Sequence, residues 1–233
     1  MSRLRNEEGL TLIELTVAAG MGLVLALTLF TFMDNTSKSS QRTAARVDAA
    51  KVGRPALAGI MDTLHTTCVA PGVAPILAGS TDTTMSVVSQ TGSAVTPVPV
   101  KRTISYSAST GTLSESIYPV SSGTAPTWTF SATPTSTRQI LKPVTQATIS
   151  NAPVPIFRYY AFDSSGAISA TPLTVPLSDD DAAKAVQATV AFSVPSRASA
   201  NPDPEGSASF SDSALFRFTP PGESASAENL PCA

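Results

Sequence analysis

The sequence predicts an α+β protein: a long N-terminal helix, half membrane and half amphipathic, packed on an antiparallel β-sheet head. Three observations predict it. An apolar run occupies residues 10–33, apolar residues recur at helical spacing over 57–68, and from Val69 onward short β-branched segments alternate with Gly, Pro, Ser and Asn. The implied organisation is a leader (1–9), a transmembrane helix (10–33), an amphipathic helical continuation (34–68), a β-rich head (69–219) and a C-terminal tail (220–233).

Composition narrows the function before any motif is considered. The 233 residues are 42% apolar but only 14% charged, and Ser and Thr together count 60. Aromatic residues make up 6%, so the core must rest on Val, Ile, Leu and Ala. A net charge of −2 argues against nucleic-acid binding, which needs clustered Lys and Arg to neutralise phosphates. One His and two Cys leave no material for a zinc cluster, and any Ser-His-Asp or Cys-His constellation would have to use His65. A lone His is far more often packed or solvated than catalytic, so no catalytic residue, metal site or cofactor is assigned.

The run from Leu10 to Met33 carries one charge, Glu14. At about 1.5 Å per residue it is roughly 36 Å long, enough to cross a bilayer with some tilt. A cleaved secretory signal would end at a small-x-small site, and Val17-Ala18-Ala19 is the candidate. That cut would leave a long apolar remainder on the mature chain and would place Glu14 inside the signal's apolar core. An ordinary signal anchor is the other bland reading. Glu14 separates these from a functional reading, because an ionised carboxylate in a membrane helix costs about 2.5–3.5 kcal/mol on insertion scales. The segment contains no Lys, Arg or His to pair with it. A new α-amino group, made by cutting the chain just upstream, would supply the missing positive charge, and Gly9 lets an extended backbone enter a tight protease cleft.

The string Gly9-Leu10-Thr11-Leu12-Ile13-Glu14, followed by about twenty apolar residues, resembles the processing site of type IV pilins and type II secretion pseudopilins. The resemblance implies that a prepilin peptidase cuts between Gly9 and Leu10 and that Leu10, where phenylalanine is commoner, becomes N-methylated. It further implies that Glu14 neutralises the N-terminus of an adjacent subunit during filament assembly. The motif covers only about 25 residues at the start of the chain.

Ala18, Gly22 and Ala26 fall at i, i+4 and i+8, a small-residue stripe that lets helices approach closely in lipid or in a filament core. Ala and Gly are also simply common in membrane helices, and both readings stand. Basic residues flank the span on both sides, Arg3 and Arg5 before it and Lys38, Arg42, Arg46 and Lys51 after it. Counted alone they place the C-terminal side in the cytoplasm. The resemblance implies the opposite, a cytoplasmic leader and an exported head.

Beyond the span, Leu57, Ile60, Met61, Leu64 and Cys68 form one apolar stripe, with a weaker stripe of Ala44, Val47 and Ala50 upstream. Gly53-Arg54-Pro55 interrupts this pattern and is expected to kink the helix or split it, because Pro55 removes a backbone donor. In the head, strands are expected at 85–90, 100–108, 112–118, 127–132, 145–150, 155–162, 186–194 and 214–219. Ser109-Thr110-Gly111 and Asp163–Gly166 read as tight turns, and Asp179-Asp180-Asp181 before Ala182-Ala183-Lys184 reads as a capped helical turn. The triplet lacks the alternating oxygen-ligand spacing of a calcium loop.

The arrangement of the hairpin after Arg102–Tyr106, of Pro155–Tyr160 with its turn, of the late strand 186–194 and of Leu215-Phe216-Arg217 is similar to the J-type minor pseudopilins and the PilW-like minor pilins. An exported domain with two cysteines usually pairs them, so a Cys68–Cys232 disulfide is expected, with two free thiols as the alternative. It would close a loop of about 165 residues, worth on the order of 5 kcal/mol in the chain-entropy treatment, and would staple a polar tail to the helix.

The expected function is that of a minor pilin or pseudopilin, processed and assembled into a type IV pilus-like or type II secretion-like filament. Its partners would be other pilin or pseudopilin subunits, the prepilin peptidase/methylase, an inner-membrane assembly platform and membrane lipid. The alternatives are an unprocessed single-span surface protein with a ligand-binding Ser/Thr-rich ectodomain, and a secreted hydrolase built on a carboxylate pair, although no spacing of the acids singles one out.

Overall fold

The computed structural model describes residues 11–68, 73–93, 96–124, 127–150, 152–196 and 206–216. The chain divides at Ala44/Ala45, inside its first helix, into two units, Met1–Ala44 and Ala45–Ala233. That helix, α1, runs Leu12–His65 without a break. In the first unit every residue from Thr11 to Ala44 is exposed, and thirteen large apolar side chains between Leu12 and Met33 face outward. α1 is long and apolar enough near its N-terminus to cross a membrane.

Of the two outcomes expected at Gly53-Arg54-Pro55, the split does not occur, since Pro55 lies inside α1. Pro55 and Lys51, whose carbonyl loses its i+4 donor, are both exposed, so water is available to that carbonyl. Gly53 has a packing role instead: its bare Cα receives the ring of Phe210.

In the second unit the buried face of α1 is Ala45, Ala49, Gly53, Ala56, Ile60, Met61, Thr63 and Leu64. The stripe expected over 57–68 is confirmed at Ile60, Met61, Leu64 and Cys68, with Leu57 half-buried. The upstream stripe is corrected. Ala44 and Val47 are exposed, and the buried row continues backward from Ile60 through Ala56, Gly53, Ala49 and Ala45 at steps of three and four. Small residues occupy this row because the head approaches closely there: Cβ atoms at Gly53 and Gly206 would meet Phe210 and Ala45.

The head begins with β1 (Thr84–Ser93), β2 (Thr96–Ser107) and β3 (Thr112–Ser122), an antiparallel meander. The β2–β3 turn closes at Gly111, whose positive φ of 59° suits a residue without Cβ. β4 (Thr129–Phe130) and β5 (Ser136–Leu141) both pair with β3, which completes a five-stranded sheet. β6 (Thr148–Ile149) and β7 (Ala152–Pro153) make a small ribbon. β8 (Phe157–Tyr160), β9 (Gln187–Val194) and β10 (Ala208–Leu215) form a three-stranded sheet in the order β10-β9-β8. Between β8 and β9 lies α2, Asp179–Lys184.

One core joins these parts. Met85, Val87, Ile104 and Leu113 from the larger sheet meet Phe157, Tyr159, Ala188, Val190 and Phe192 from the smaller, with Ala56, Ile60, Met61 and Leu64 of α1 in the same cluster. Burying a large aliphatic or aromatic side chain stabilises by about 1.5–3 kcal/mol, so these residues supply most of the favourable energy of the head. Tyr159 is the largest of them, and its hydroxyl donates to the carbonyls of Thr81 (2.9 Å) and Thr84 (3.3 Å), which satisfies its one polar atom. A lesser cluster of Cys68, Val73 and Val88 sits where Thr67 and Ile76 bridge to β1, with Cys68 N–H donating to the Val88 carbonyl at 2.7 Å.

Several expected strands differ in extent. The segment 145–150 is strand only at Thr148–Ile149, and 127–132 only at Thr129–Phe130. The last strand lies earlier than expected, at Ala208–Leu215, and Arg217 falls outside the described residues. β5 was not expected, because Ser136-Thr137-Arg138-Gln139 is too polar to show an apolar alternation.

Candidate functional site

The N-terminal segment Thr11–Met33 carries Glu14, Ala18, Gly22 and Ala26 of the residues singled out by sequence. Gly9 and Leu10, the proposed cleavage and methylation positions, lie outside the described residues, as does Cys232. Glu14 is described, in the first turn of α1. The sequence gives Glu14 no basic partner, but the structure gives it a hydrogen-bonding one. Thr11 N–H and Thr11 Oγ1 donate to Glu14 Oε2 at 3.4 and 3.3 Å, while Glu14 N–H donates to Thr11 Oγ1 at 3.3 Å. This reciprocal pair is a capping box, with Thr11 at the N-cap and Glu14 three residues on. The carboxylate also sits where the helix dipole favours negative charge.

The other polar groups of the span are satisfied locally. Thr16 donates to the Ile13 carbonyl (2.9 Å), Thr28 to Leu25 (2.8 Å) and Thr31 to Thr28 (2.9 Å). A hydroxyl bonded to its own helix carries little desolvation penalty into lipid, whereas an unbonded one costs several kcal/mol. Among the described residues the first ion pair, Asp34–Lys38 at 2.7 Å, comes just after Met33 and marks the end of the apolar stretch. Ala18, Gly22 and Ala26 are exposed, and a Cβ built on Gly22 would meet nothing within 4 Å.

The head holds a charged cluster that the sequence reading missed. Alternation along β2 and β3 turns Arg102, Ile104, Leu113 and Glu115 to one face, and Arg138 of β5 lies directly opposite Glu115. Glu115 is 1% exposed and is bridged by two guanidiniums, Arg102 Nη1 to Oε1 at 3.0 Å and Arg138 Nε to Oε2 at 2.6 Å. Arg102 Nε also donates to Ser89 Oγ at 2.8 Å, so the network crosses four strands. The signal available in sequence was a lone acid at an inward position of β3, two residues after Leu113. A groove of about 520 Å³ opens beside this cluster, between α1 and β5. Lys51, Val52, Pro55, Gly59 and Thr63 line one wall, and residues 138–142 line the other.

The remaining positions have structural roles. His65 is the exposed last residue of α1. In the 163–166 turn, Asp163 accepts from Ser165 N–H (2.8 Å), Ser165 Oγ (2.6 Å) and Ala167 N–H (3.1 Å), and these bonds hold its carboxyl below the usual range. The triplet 179–181 opens α2 behind the N-cap Ser178, which accepts from Asp181 N–H at 3.1 Å. Among the described residues no cluster of three His, Cys, Asp or Glu side chains is placed to hold a metal ion. No protein-family model, no curated protein and no solved structure matches this chain.

Proposed function

We propose that this chain is a pilin-like filament subunit: a precursor cut between Gly9 and Leu10, anchored by the first part of α1, with its head exported. The observation that carries the reading is the position of Glu14, one helical turn past the proposed cut, on the first part of a helix whose apolar side chains there are exposed on every face. Such a surface demands lipid or other helices around it. Removing the leader would leave the new amine of Leu10 close to the first turn, where a carboxylate of a neighbouring copy can meet it. The role is structural, and the head is that of a minor subunit of the J-type or PilW-like kind. The reading includes the Cys68–Cys232 disulfide, which is supported by the burial of Cys68 and by the lack of a free thiol among the described residues.

One observation favours a second reading, an unprocessed single-span surface protein. The capping box gives Glu14 a partner within its own chain, so the carboxylate has a use without any new amine. Mass spectrometry of the mature N-terminus separates the two. The filament reading expects a chain that begins at Leu10, with or without an added methyl group. A chain that begins at Met1 or Ser2 overturns it.

A further inference from the structure

We propose that the groove between α1 and β5 receives an extended, acidic segment of a partner protein, which adds to the sheet as a strand beside β5. Three features of the head lead there, whatever the membrane helix does.

The first is an open strand edge. β5 pairs with β3 on one side, and among the described residues its other edge has no backbone partner. Ser136, Thr137, Arg138 and Gln139 are all exposed. An unpaired edge presents alternating N–H and C=O groups to an added strand. The edge of β1, by contrast, is already covered by bridges from Thr67 to Ser89 and from Ile76 to Val87.

The second is room beside that edge. The groove holds about 520 Å³, and the side of α1 that lines it carries Gly59, where a built Cβ would meet nothing within 4 Å. Ile60, Ile104 and Leu141 give the groove an apolar floor for alternate side chains of the added strand.

The third is charge. Arg138 is the charge the groove offers: of the other basic residues that line it, Lys51 is paired with Asp48 at 3.0 Å and Lys142 is engaged within the chain, while the acid among the lining residues, Glu115, is buried and bridged by two guanidiniums. Arg138 uses Nε on Glu115 and stays 66% exposed, and its Nη groups find no partner among the described residues. A guanidinium held in place by one carboxylate is preorganised to accept a second in bidentate fashion. The recognised chemistry is therefore main-chain pairing for affinity, with a carboxylate against Arg138 for specificity.

The test uses the full chain in detergent micelles and a short peptide that alternates valine with glutamate. Binding is followed by fluorescence anisotropy, and the bound position by backbone amide exchange. The expected result is slowed exchange at Ser136–Leu141 and an affinity about tenfold lower for the same peptide with glutamine in place of glutamate. Gly59→Phe, which fills the groove from an open position, should abolish binding, while Gly59→Ala should retain it. Four outcomes overturn the proposal: no binding, protection at another strand edge, equal affinity for the two peptides, or binding undisturbed by Gly59→Phe.

Discussion

The ring of Phe210, on β10, lies directly against the backbone of α1 at Gly53. A Cβ there would stand 2.9 Å from the ring's Cδ2 and closer still to Cε2 and Cζ. The same ring is tilted against Phe192 of β9, with centroids 5.6 Å apart. The absence of a side chain at residue 53 thus sets how closely the smaller sheet packs on the helix.

Two glycines of this one helix should respond oppositely to alanine. Gly59→Ala adds a methyl in open space and should stabilise by about 0.5–1 kcal/mol through helix propensity. Gly53→Ala gains the same propensity but drives a methyl into Phe210, and overpacking of this kind costs about 1–3 kcal/mol. The expected net effect is a loss, relieved in the Gly53→Ala/Phe210→Ala pair relative to Phe210→Ala alone. Thermal unfolding of the four variants measures it, and equal gains at both glycines would contradict the packing.

Glu115→Ala should destabilise the head by about 3–5 kcal/mol, because it leaves two guanidiniums facing one another at the sheet without their carboxylate. Arg138→Ala should cost less. Its side chain is largely exposed, and Arg102 still neutralises Glu115. Urea titration should show the larger midpoint shift for Glu115→Ala, and the reverse order would place the weight of the network on the exposed guanidinium.

Burial pushes the Tyr159 hydroxyl well above the ordinary tyrosine range. The unfolded chain releases this proton near pH 10 while the folded chain keeps it. The folded state therefore holds more protons above that point, and stability falls as pH rises. Below about pH 10 the contribution of Tyr159 is constant. Tyr159→Phe should lower stability by about 1 kcal/mol at neutral pH by removing the hydroxyl donor from the Thr81 carbonyl, the Thr84 carbonyl keeping the Thr81 N–H, and should flatten the alkaline decline. Unfolding followed from neutral pH upward reads both effects, and parallel declines in the two proteins would rule out the tyrosine as their source.

One pair of variants separates the cap that Glu14 makes from the proposed pairing with a neighbouring subunit's amine. Thr11→Ala removes the N-cap and should fray the first turn, at a cost of about 0.5–2 kcal/mol, while keeping the charge. Glu14→Gln keeps a side-chain acceptor for Thr11 and removes the charge. If the carboxylate meets an amine of a neighbouring subunit, Glu14→Gln should block filament entry while both variants still insert in the membrane. Assembly lost in Thr11→Ala and kept in Glu14→Gln would assign Glu14 to the cap alone.

The single-chain signals were strong wherever the physics was local. The apolar run, the helical row through Ile60, Met61 and Leu64, the hairpin at Gly111, the Asp163 turn and the cap ahead of α2 all depend on residues a few positions apart. Periodicity and turn chemistry act over that range, so these features were legible. The continuity of α1 through Pro55 was not, because a proline's effect depends on what surrounds its neighbours' carbonyls.

Sequence by itself determined the α+β class, the lipid-compatible first half of α1 and the start of that helix beside Glu14. Tertiary structure alone decided which small residues of α1 are buried, the existence of the polar edge strand β5, and the meeting of Arg102, Glu115 and Arg138. Those three residues are separated by 13 and 23 positions along the chain, and only strand register brings them together. Register is a long-range property, set by how the strands pair and which faces they bury, and no local pattern encodes it.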